Sequence, residues 1–73
     1  MPFGAHDRRL RRELGAAQAR HAAAARTARE DVARAFERGE VASAHTLLDT
    51  ARHHERVAEI LTSICDRIGD EPE

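Results

Sequence analysis

The side chains of this 73-residue sequence that could do chemistry are a few histidines, one cysteine and a short arginine run. His21 and His54 are the most informative of them. Each interrupts an otherwise apolar stripe near the middle of its segment, beside alanines that leave room for an imidazole. Such a residue can serve as a packed core group that donates one hydrogen bond. It can also form a buried polar layer that fixes the register of an assembly, as one core polar residue does in coiled coils. Because imidazole titrates near neutrality, the same layer could respond to pH. A metal site needs three or four well-placed ligands with an ordered second shell. Each chain offers His21, His54 and at most Glu55 there, so neither a resident metal nor any other cofactor is expected.

The remaining candidates are weaker. His45, Asp49 and His53 follow one another at i, i+4 and i+8, a spacing that can chelate a divalent ion on a helix surface. They point away from the apolar stripe and read as a solvated face. Cys65 lies within the stripe, where a thiol acts as a small hydrophobe, and no histidine within one turn activates it. Arg8, Arg9, Arg11 and Arg12 flank Leu10 in the one dense basic patch. Nucleic-acid binding would need a footprint of this kind. The formal net charge of −1 and the scarcity of aromatics, Phe3 and Phe36 alone, weigh against it, since single-stranded sites use aromatic stacking platforms. No helix-turn-helix or zinc pattern, phosphate loop, nucleophile elbow or ExxH pair of a di-iron bundle is present. The expectation is a noncatalytic protein.

The elements that must position these residues are helical. Between Ala5 and Arg38 the sequence is mostly Ala, Arg, Glu and Leu, all strong helix formers. Leu10, Leu14, Ala17, Ala24, Ala28, Val32 and Ala35 recur in steps of three, four and seven, the spacing of an amphipathic helix. A second stripe runs through Ala44, Leu47, Leu48, Ala51, Ala58, Leu61, Cys65 and Ile68. The spacing predicts an all-α chain with one domain: a helix over 5–38, a turn at Gly39, a helix over 40–68 and a frayed tail over 69–73. Gly15 costs about 1 kcal/mol relative to Ala inside a helix. The stripe keeps its phase across Gly15, so the first helix is expected to continue through it.

Folding the chain back at Gly39 produces a ladder. Ala35 falls opposite Ala44, Val32 opposite Leu47 and Leu48, and Ala28 opposite Ala51. Ala25 faces His54, His21 faces Ala58, Ala17 faces Leu61, Leu14 faces Cys65 and Leu10 faces Ile68. Facing residue numbers add to a nearly constant value, as an antiparallel αα-hairpin requires. The charge distribution follows the same hairpin. Residues 1–38 carry nine arginines against five acids, and residues 39–73 carry three against eight. The arginine-rich start would then lie beside Asp66, Asp70, Glu71 and Glu73. Asp7 with Arg11, Arg26 with Glu30 and Glu30 with Arg34 are the expected i,i+4 pairs.

Half of the hydrophobic residues are alanine, which is too little for a rich private core. A two-helix hairpin has no true interior. The simplest closure is a homodimer forming an antiparallel four-helix bundle. Leu10, Leu14, Val32, Leu48, Leu61 and Ile68 are the expected interface and core residues. His21 and His54 are the expected buried polar layer, and a protein partner is the main rival to a second copy. The run Phe36, Gly39, Ala44, Leu48, Ala51 resembles the turn and second helix of a tetratricopeptide repeat. Its helices are longer than that unit of about 34 residues allows, its early aromatic position is unfilled and no second repeat follows. The resemblance implies helix packing and no ligand. No leader and no apolar run near the roughly 18 residues of a membrane span is visible. A cytoplasmic location without a membrane is therefore expected. A small self-associating adaptor is the principal functional expectation. The alternatives are a nucleic-acid-associated regulator using the arginine run and a pH- or metal-responsive bundle using His21 and His54.

Overall fold

The computed structural model describes residues 5–69. Helix α1 spans Ala5–Glu37 and helix α2 spans Val41–Gly69. The two pack along their length as an antiparallel hairpin, giving a rod of 57 × 15 × 11 Å. Among the described residues there is no strand, and no helix is long and apolar enough to cross a membrane.

The turn is built by the backbone of four residues. Gly39 adopts φ 75°, in the left-handed region that an L side chain enters at a cost. Its N–H donates to the Phe36 carbonyl at 3.0 Å, and the Glu40 N–H reaches back to the Ala35 carbonyl at 2.8 Å. These two bonds are the paired signature of a Schellman ending, with glycine just past the helix. Glu40 then caps α2, its carbonyl accepting the Ala44 N–H at 3.0 Å. The Arg38 guanidinium Nε bonds Glu40 Oε1 at 2.6 Å and ties the two sides of the turn together. Of the tail expected over 69–73, Gly69 is the last residue of α2, and residues 70–73 lie outside the described residues.

Helix α1 runs unbroken through Gly15. A Cβ built there meets no atom within 4 Å. Gly15→Ala should therefore stabilise the protein by about 1 kcal/mol through helix propensity alone. A matched pair of urea titrations measures this, and a loss of stability would show that Gly15 makes a contact or bend of its own.

The core is made of alanine. Ala25, Ala28, Ala35, Ala44, Ala51 and Ala58 are the buried hydrophobic side chains, and Ala35, Ala44 and Ala51 are wholly shielded. Ala35 and Ala44, like Ala28 and Ala51, are residues the ladder sets face to face. A methyl group on each side lets two helices approach toward the short end of the usual 8–10 Å axial separation. No large side chain is fully buried among the described residues. Leu14, Val32, Leu48, Leu61 and Ile68 flank the alanine seam half-buried, and Leu10 is exposed. Within one chain they form the rim of the contact, while alanine forms its centre. Along α2, Thr46, Thr50 and Thr62 donate their hydroxyls to the carbonyls of Ala42, Thr46 and Ala58, one turn back. That spares α2 unpartnered polar atoms at these positions.

Candidate interaction surface and the central histidine pair

Among the described residues, histidine supplies the one polar contact within the seam. His21 from α1 and His54 from α2 meet with their Nδ1 atoms 2.8 Å apart. Their rings lie 5.0 Å apart, tilted by 37°. In the neutral pair one Nδ1 carries the proton and donates it, and the other accepts. The ladder sets His21 opposite Ala58 and His54 opposite Ala25. Because those alanines fill so little space, the two rings span the intervening turn and touch each other. Within one chain both histidines are half-buried, and no polar side chain is buried among the described residues. A hairpin of one layer shields each ring on one side only. His53 stands edge-on against His54, with ring centres 5.4 Å apart.

Position along the helices sets this pair apart. His21 is the midpoint of Ala5–Glu37, and His54 is one residue from the midpoint of Val41–Gly69. The two imidazoles therefore mark the centre of the rod.

Charge decorates the outside. Arg29 on α1 grips Glu55 on α2 with both Nε and an amino nitrogen, the latter 2.7 Å from Oε1. The hydrogen bond from Arg29 holds the Glu55 carboxyl below its usual range, and the same bond raises Arg29. Arg34 is raised in the same way by its bond to Asp31. The i,i+4 expectation for Arg34 is thereby corrected, since its partner is Asp31, three residues away, in place of Glu30. Arg26 and Glu30 are not joined among the ion pairs of the described residues. Both Arg29 and Glu55 are largely in water, so this fork fixes register more than it adds stability. Arg8, Arg9, Arg11 and Arg12 are exposed at the start of α1. Of the acids expected beside them, Asp66 is exposed, and Asp70, Glu71 and Glu73 lie outside the described residues, as does the side chain of Asp7.

A second apolar stripe on α2 stands outside the sequence expectation. Val57, Ile60, Leu61, Ile64 and Ile68 recur at i, i+3, i+4, i+7 and i+11, a full amphipathic pattern. Ile60 is 52% exposed and Ile64 38%. Its spacing is visible in the sequence, but the ladder assigns Leu61 and Ile68 to the hairpin seam and so hides it. At the turn, Phe36 and Val41 are each about half exposed. Phe36 meets the ring of His45 edge-on at 6.5 Å.

His45, Asp49 and His53 do not gather, and among the described residues no group of three or more His, Cys, Asp or Glu side chains is placed to hold a metal ion. Cys65 is a free, half-buried thiol. The concavities are shallow and open. One lies among Asp49, Arg52, His53 and Glu55, and another among Ala42, Ser43, Thr46 and Leu47. No protein-family model, curated protein or solved structure matches the chain.

Proposed function

We propose that this protein is a noncatalytic helical hairpin that pairs with a second copy along α2 and serves as a protein-binding module. The observation that carries this reading is the mismatch between its buried and exposed apolar residues. Alanine occupies the seam, while Ile60, Ile64, Phe36 and Val41 face water.

The face we assign to this pairing is the edge of α2 bearing Leu47, Val57, Leu61 and Ile64. Pairing two such edges would give the four-helix bundle a second layer and cover its isoleucines. Phe36 and Val41, at the turn end, would remain as an apolar spot for a partner protein. Light scattering after size exclusion tests the pairing. The wild-type chain should run at twice its mass, and the double variant Leu61→Asp, Ile64→Asp should run as a single chain while staying helical by circular dichroism. A wild-type monomer, or a double variant assembled like the wild type, would overturn this face as the interface.

A further inference from the structure

We propose that His21 and His54 are half of a binding site for a tetragonal divalent metal ion, Cu(II) or Ni(II), completed by the same two residues of a second copy. The proposal rests on the self-association just described.

Three observations converge on it. First, two imidazole nitrogens from different helices meet at 2.8 Å as a hydrogen-bonded pair. Around an ion held at the usual metal–nitrogen distance, donors at a right angle sit about 2.9 Å apart and donors at a tetrahedral angle about 3.3 Å. Replacing the shared proton by an ion would need only a small change in this spacing to reach adjacent corners of a square, the preference of Cu(II) and Ni(II) among imidazole-binding ions. Second, His21 and His54 mark the middle of their helices. A two-fold axis that crosses the rod at its middle sets the central residues of the two copies against each other, and an axis along the rod pairs every level with itself. Either symmetry brings the central residues of one copy toward those of the other. Third, the pair is half-buried in a collar of Ala25, Ala28, Ala51 and Ala58. The collar leaves both rings partly exposed. Glu55, the nearest acid in sequence, is held by Arg29 and does not compete.

One chain alone supplies two ligands, consistent with the lack of a larger cluster among the described residues. Two chains supply four. Loading the site needs no net proton release from the neutral pair. The imidazole that donates through Nδ1 shifts its proton to Nε2 through solvent, and both Nδ1 lone pairs then face the ion.

The test uses the full chain stripped with a chelator, then titrated with Cu(II). Mass is read with and without the ion, and nitrogen coupling is read in the electron paramagnetic resonance spectrum. The expected result is one Cu(II) per two chains with four coordinated nitrogens. H21Q and H54Q should each weaken binding at least tenfold, and the double variant H45Q, H53Q should leave it unchanged. One ion per chain, fewer nitrogens, or binding lost with His45 and His53 would overturn the site. The nitrogen count on the wild type answers the question even if a histidine variant folds poorly. A metal-free dimer that ignores Cu(II) removes the site and leaves the self-association standing. A metal-free monomer that dimerises around one Cu(II) keeps the site and removes the apolar interface. A monomer under both conditions removes both.

Discussion

Replacing Ala51 by leucine should lower stability by about 1–3 kcal/mol, the usual cost of forcing extra carbons into a packed site. Ala51 is wholly shielded and stands opposite Ala28, itself 5% exposed. A leucine there cannot turn outward without leaving its rotamer well, so the helices must separate. Separation strains more than one rung. The neighbouring seam residues, Ala44 and Ala58, share the same axial spacing, and the Arg29–Glu55 fork one turn away depends on it. In a short chain, whose total stability is commonly a few kcal/mol, this is a large fraction. Ala33→Leu is the matched control: it adds the same group to an exposed position on α1 and should change stability by less than about 0.5 kcal/mol. Thermal and urea unfolding of both variants, at one protein concentration, reads the difference. Equal stability would mean that the alanine seam is not the close contact. Leucine is ordinarily the better core residue and here should be the worse one.

The second large effect falls at the turn. Gly39→Val should cost about 2 kcal/mol, because a β-branched residue is a rare occupant of the left-handed region. A Cβ at Gly39 meets nothing within 4 Å, so the whole penalty is conformational. That makes the position a clean ranking experiment. Asn tolerates the conformation better than Ala, and the expected order of stability is Gly, Asn, Ala, Val. Chemical denaturation midpoints across the four variants test it. A flat series would place the strain-free turn elsewhere. The contrast with Gly15 is instructive. Both glycines have open space around them, yet substitution should help at one and harm at the other. Backbone dihedral decides the sign: Gly39 has φ 75° and Gly15 lies within a regular helix.

Much of the hairpin could be read from residue spacing. The seven-residue recurrence through Ala28, Ala35, Ala44, Ala51 and Ala58 fixes which faces meet, and the phase across Gly15 carries α1 past a weak position. Gly39 announces the turn because few other residues take its conformation. The candidate site was less legible. His21 and His54 could be placed at the centre of the seam, but their contact depends on two side chains leaning along the axis into space left by alanine. Periodicity does not encode that direction. Arg34 met Glu30 and Asp31 with similar reach, and a side-chain rotamer chose between them. Ile60 and Ile64 were obscured for another reason. Their stripe shares Leu61 and Ile68 with the seam, so a search for one face per helix absorbed the second face into the first.

The turn also sets an order of events. Joining Ala35 to Ala44 closes a very short stretch of chain, and each rung further from Gly39 closes a longer one. Loop-closure entropy grows with that length, but only slowly once the preceding rung is in place. Contacts that are local in this sense favour fast folding. The protein should therefore close like a zipper from the Schellman ending toward the far end of the rod. His21 and His54 would meet midway, and the last rungs to form, at Leu14 and Leu10, would be the first to open.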